Sequence, residues 1–133
     1  MNEELKAVAQ KCLDGANHNT MTFPVIVETL IQNGFESYHI DFLRNTATYY
    51  LLNNTSIELP VHNHNVQVGK EFNVSGVQSA IKEAQQLVEG YTYQGFCKKV
   101  MAAGCVGYIV SFPGKRAVYF GRTAETHVEH FPQ

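Results

Sequence analysis

The sequence predicts an α+β fold: one domain, internally duplicated, in which two helix-helix-β-hairpin units build an antiparallel sheet with helices packed on one face. Three observations carry this. The stretch Thr92–Arg122, TYQGFCKKVMAAGCVGYIVSFPGKRAVYFGR, has a weaker counterpart in Thr22–Tyr50 at a constant offset of 70, sharing Gly34/Gly104, Tyr38/Tyr108, Phe42/Phe112, Ala47/Ala117 and Tyr49/Tyr119. In each copy the apolar spacing is helical before the glycine and alternates after it. Folded back on themselves, the alternating segments give each ribbon one face that is apolar or aromatic almost throughout, which a helical layer can cover.

Taken in order, residues 2–14 form a first helix, with Leu5, Val8, Ala9 and Cys12 on one side and Gly15 closing it. A polar loop leads to the second helix, where Thr22 is the N-cap, Pro24 sits in the first turn, and Phe23, Val27, Leu30 and Ile31 recur at helical spacing. Gly34 follows as the left-handed residue past the helix end. The first hairpin is read with Arg44 and Asn45 as a two-residue turn. That register sets Phe42 across from Ala47, Ile40 from Tyr49 and Tyr38 from Leu51; on the other face it sets His39 across from Tyr50 and Asp41 from Thr48.

The segment NNTSIELPVHNHNVQVGKEFNVSG supplies one or two short strands and the link between the halves, about 1–61 and 75–133. Ser75 opens the third helix at capping-box spacing from Gln78; Val77, Ala80, Ile81, Ala84, Leu87 and Val88 form its stripe, and Gly90 ends it. Thr92 caps a fourth helix carrying Tyr93, Phe96, Val100 and Met101. The second hairpin, turning at Gly114 and Lys115, puts Tyr108, Val110, Phe112, Ala117, Tyr119 and Gly121 on its apolar face, and THVEHFPQ adds a further short strand.

A chain of 133 residues is enough for one core. A net charge of −2 argues against a nucleic-acid partner, although Lys98, Lys99, Lys115, Arg116 and Arg122 gather in the second half. No apolar run spans a bilayer and the N-terminus lacks a signal-peptide core, so the reading is cytoplasmic with no membrane partner. Cys12, Cys97 and Cys105 fall at apolar positions without CxxC spacing and read as buried thiols. The sequence holds no P-loop, dinucleotide fingerprint or nucleophile elbow.

Chemistry is sought on the ribbon face opposite the apolar one. There His39, Asp41, Thr48 and Tyr50 converge in the first half, facing Ile109, Ser111, Val118 and Phe120 in the second, with Arg122 at its end to grip an anion. The competing explanation is an ordinary solvated sheet face with cross-strand polar pairs. A second cluster comprises His62 and His64, which share a face on a strand, and Glu125, His127, Glu129 and His130, of which His127 and Glu129 likewise share a face; the C-terminal group forms a rim to the site or part of a divalent metal site, without matching an established metal motif.

The segments VMAAGCVGYIV, YHIDFLRNTATYY and KRAVYFGRTAETHVEHFP give the chain a resemblance to a group of bacterial and prophage-encoded proteins of about this length, often labelled "phage envelope protein". It covers nearly the whole chain and is most specific over Tyr119–Pro132, with Ala124 standing where that group usually has glycine. The resemblance implies a compact α+β fold and residence in mobile elements; it brings no activity, cofactor or catalytic residue set. The reading is therefore a ligand- or partner-binding domain, non-enzymatic or at most weakly catalytic, and without a resident cofactor. Its alternatives are a small hydrolase, metal-assisted or not, and a homodimeric interaction protein.

Overall fold

A computed structural model of the chain describes residues 2–132. Helices α1 (Asn2–Asn17) and α2 (Phe23–Gln32) precede strands β1 (Phe35–Asp41), β2 (Thr46–Leu51) and β3 (Ser56–Pro60). Helices α3 (Val74–Gln86) and α4 (Tyr93–Ala102) precede β4 (Cys105–Ser111), β5 (Arg116–Gly121) and β6 (Thr126–His130). The six strands form one antiparallel sheet in the order β3-β2-β1-β4-β5-β6, so the two halves join by pairing β1 with β4. This is the predicted α+β class, with a third strand completing each half.

Alternation divides the sheet into an inner face under the helices and an open outer face. Two inner rows cross all six strands: Leu59, Ala47, Ile40, Tyr108, Tyr119 and His127, and alongside it Ile57, Tyr49, Tyr38, Val110, Ala117 and Glu129. The apolar set expected on the first ribbon, Tyr38, Ile40, Phe42, Ala47, Tyr49 and Leu51, is buried in full. From α1, α2, α3 and α4 the layer above contributes Cys12, Leu30, Val77 and Val100, each almost wholly enclosed.

The hairpin register differs from the expected one by a shift that preserves the faces. His39 pairs with Thr48 and Asp41 with Thr46, rather than with Tyr50 and Thr48. The cause is a longer turn. Asp41 Oδ1 accepts hydrogen bonds from the Leu43 and Arg44 amides at 2.9 and 3.0 Å, closing an Asx-type loop in which Asn45 takes the left-handed conformation (φ 57°). The second hairpin is built alike: Ser111 Oγ accepts from the Gly114 amide and Lys115 has φ 51°.

Helix ends account for the other departures. Helix α1 runs through Gly15 to Asn17, and Gly15 serves instead as a packing notch, since a Cβ there would lie 2.5 Å from Met21 Sδ. Asn73, not Ser75, caps α3 by accepting from the Gly76 amide, because the chain enters the helix two residues earlier. That helix ends at Gln86, ahead of Gly90, when Leu87 turns left-handed (φ 47°). Thr92 caps α4 through the Gly95 amide as expected, whereas the Thr22 side chain makes no capping bond. Ala124, in the β5–β6 turn, adopts φ 64°, a conformation that favours glycine.

Candidate functional site

The outer face holds the predicted polar group, but much of it is spent on structure. His39, Thr48 and Tyr50 share this face, His39 and Thr48 half-buried and Tyr50 exposed. Asp41 is committed to the β1–β2 turn through the two amide bonds described above. The His39 ring packs on Phe120 at 5.7 Å, in the space left by Gly107, whose missing Cβ would stand 3.4 Å from that phenyl ring. His39 Nε2 is enclosed without a hydrogen-bond partner among the described residues, so it is not presented to a reactant. Arg122 lies exposed beyond β5 and forms no ion pair among the described residues.

The space for a ligand is on the other side of the sheet. A cavity of about 840 Å³ lies between the inner face and the helices, within the roughly 300–1,000 Å³ range of small-molecule sites. Tyr38, Tyr49, Tyr108 and Tyr119 come to it from β1, β2, β4 and β5, Tyr91 and Tyr93 from the start of α4 and the loop before it, and Cys12, Ile26 and Ile81 from the remaining helices. Six of the seven tyrosines thus line it; Tyr50, on the outer face, is the exception. Its mouth is framed by the α1–α2 loop, by Leu87–Tyr91, and by the segment from His130 to Pro132. Phe23 and Phe131 meet edge to face at 5.5 Å across that mouth. Leu87 and Val88, expected on the buried stripe of α3, sit past its end, exposed and beside the opening.

The lining is aromatic and largely uncharged. Tyr108 stacks on Tyr119 at 5.0 Å and Tyr38 lies tilted against Tyr49 at 5.5 Å. The hydroxyls of Tyr93 and Tyr108 meet at 2.7 Å, satisfying one another. Burial pushes the phenols of Tyr38, Tyr93 and Tyr108 well above their ordinary value and that of Tyr91 up to about 12. They are neutral hydroxyls at physiological pH, able to donate and accept hydrogen bonds but not poised to take a proton as bases. Burial likewise raises the Cys12 thiol, Cys97 to about 12 and Cys105 to about 11, so none is a ready nucleophile.

The β6 end of the inner face is polar, and of its side chains Glu129 reaches the cavity. The register of β6 brings His127 beside Tyr119 and Glu129 beside Ala117 on the inner face. His127 Nε2 meets Glu129 Oε1 at 3.1 Å, and Gln85 of α3 donates to Oε2 at 3.3 Å. Their neighbours do not join them: His130 pairs with Arg116 and borders the mouth, and the exposed Glu125 accepts a bond from Thr123 in the turn. His62 is exposed, whereas His64 is buried with its ring edge-on to Phe42. Among the described residues no three His, Cys, Asp or Glu side chains are grouped to hold a metal ion.

Residues 11–129 match the family described as "Protein of unknown function (DUF1398)". The chain belongs to this family. The match spans both halves and every strand up to Glu129, so the cavity floor falls within the DUF1398 domain. No curated protein matches the chain. Among the described residues no helix is long and apolar enough to cross a membrane.

Sequence reasoning placed His127 and Glu129 together through their alternation on a strand, but missed the cavity. The available signal was the use of tyrosine at core positions. Phenylalanine would fill a closed core without a hydroxyl to satisfy, whereas a tyrosine cluster at such positions marks a place where polar tips meet each other or open space.

Proposed function

We propose that the protein is a non-catalytic binding domain that takes a small, largely apolar molecule into the cavity between sheet and helices. The observation that carries this is the cavity itself: both halves of the chain contribute its walls, and its aromatic surface offers stacking area with few polar anchors. A hydrolase reading has less behind it. The thiols and buried phenols are held protonated, His39 Nε2 is enclosed and Asp41 holds a turn. Nothing on the outer face identifies a partner, so self-association has no comparable support.

Internal duplication is part of the proposal. In its favour, the order helix, helix and three strands occurs twice, and the register irregularities at Phe35/Ser37 and Cys105/Gly107 fall at the 70-residue offset. Prophage association and a cytoplasmic setting are also proposed, on the sequence resemblance and the unbroken mixed polarity of the chain.

Titration with 1-methylnaphthalene, followed by calorimetry and thermal unfolding, tests the binding reading. Binding with a melting temperature that climbs with ligand concentration is expected. Ala84→Trp, which places an indole in the space at the mouth, should abolish binding without lowering the melting temperature of the free protein. Absence of binding to the wild-type chain, or undiminished binding to the filled variant, would remove the cavity from the account.

A further inference from the structure

The cavity is one-sided in its charge. The chain carries ten Lys and Arg residues, yet among the described residues none lines the cavity; apart from the neutral phenols and the Cys12 thiol, the ionisable groups that do are Glu89, Glu129 and His130. Glu129 is the one built into the floor. It stands in the inner row next to Ala117, whose small side chain leaves room above it, and its side chain is 32% exposed. His127 and Gln85 each contribute a nitrogen to one of its oxygens, which fixes the carboxylate's orientation while leaving each oxygen able to accept again. In the neighbouring row lies the Tyr108–Tyr119 stack, with Phe96 edge-on to both rings at 6.3 Å.

Aromatic faces carry negative potential and attract cations within about 6 Å of the ring centre, more strongly where water is excluded. A carboxylate held among them adds to that potential. An anion would meet Glu129 and Glu89 with no Lys or Arg to receive it, and a neutral molecule would gain apolar contact and hydrogen bonds to the phenols but no attraction between charges. We infer that the cavity selects a hydrophobic organic cation, its apolar body over the tyrosine floor and its positive centre directed to Glu129. This rests on the binding reading above and adds the ligand's charge class to it.

A matched trio separates the two ideas: 1-methylquinolinium, its neutral isostere 1-methylnaphthalene, and 1-naphthoate, each titrated calorimetrically into the full chain and into Glu129→Gln. Glutamine keeps an acceptor for His127 and a similar volume while removing the charge. The wild-type protein should bind the cation about tenfold or more tighter than the neutral isostere, the ratio that about 1.4 kcal/mol supplies, and should bind naphthoate most weakly. In Glu129→Gln the cation's advantage should vanish while affinity for 1-methylnaphthalene stays within about twofold, a difference too small to reflect a rebuilt cavity. Equal affinity for cation and neutral isostere, or a preference for the cation that survives Glu129→Gln, would overturn the charge assignment and leave the cavity as a binding site. Failure of all three probes to bind would overturn both readings.

Discussion

Gly34 and Gly104 occupy the same place in the two halves, past the ends of α2 and α4, yet substitution by alanine should have very different costs. Both have positive φ, 86° and 95°, so each alanine incurs the strain of a left-handed conformation, about 1 kcal/mol. At Gly34 that is the whole effect, because no heavy atom lies within 4 Å of an added Cβ. At Gly104 the Cβ would stand 2.1 Å from the Glu71 carbonyl oxygen and 3.0 Å from Phe72 Cα. These are main-chain atoms of the segment that leads into α3, tied to the end of α4 by the Asn73 amide to Ala103 carbonyl bond at 2.7 Å. The segment cannot withdraw without losing that bond, about 1 kcal/mol net, and disturbing Phe72, for an overpacking cost of about 1–3 kcal/mol. The sum for Gly104→Ala is about 3–5 kcal/mol against about 1 kcal/mol for Gly34→Ala. Urea unfolding of both variants at one temperature measures the difference. Costs that agree to within about 0.5 kcal/mol, the usual scatter for unremarkable sites, would refute the close packing of the link on the second half.

Four further outcomes follow from named contacts. Ala124→Gly should stabilise the protein by about 0.5–1 kcal/mol, since φ 64° costs alanine what glycine avoids; an unchanged urea midpoint would contradict the turn geometry. Asp41→Ala should cost about 1 kcal/mol by leaving the Leu43 and Arg44 amides without their acceptor, and Asp41→Asn, which keeps an oxygen there, should recover most of it in the same unfolding assay. His64 has its proton affinity lowered, first by burial and then by His62 and Lys98. As pH falls below about 6.5, the unfolded chain takes up a proton that the folded chain resists, so stability declines until the lowered folded value is passed. Unfolding curves across that window should therefore slope less steeply for His64→Phe; parallel slopes would refute the assignment. Cys97, with its thiol raised to about 12, should resist iodoacetamide at pH 8 and react only in denaturant, and mass spectrometry of the native protein showing rapid labelling would contradict its burial.

The faces of the sheet were legible in the sequence because alternation is a property of the backbone, and Tyr38, Ile40, Tyr108 and Val110 could lie only on one side once Phe42 and Phe112 did. The register was less so. Nothing in LRNT distinguishes a two-residue turn from a longer loop until Asp41 is seen accepting from two successive amides. Helix ends failed for a similar local reason: Asn73 and Ser75 are both good caps, and which one serves depends on where the preceding link leaves the chain. The cavity was hidden because a tyrosine at a core position has the same spacing whether its ring meets a neighbour or faces open space. His127 and Glu129 were legible as a pair, but their alignment with Tyr119 and Ala117 required the sheet order. The predicted polar face exists; Asp41 in a turn and His39 under Phe120 are the physical reasons it offers less chemistry than its composition suggested.

Ring resonances of tyrosine-labelled protein, followed by NMR during titration with 1-methylnaphthalene, test the central claim most directly, because the chain has a tyrosine reporter on each side of the sheet. Tyr38, Tyr93, Tyr108 and Tyr119 line the cavity, and Tyr50 lies on the outer face. The account predicts saturable shifts in the first four with Tyr50 unmoved. Shifts centred on Tyr50, or no shifts at saturating probe, would contradict it.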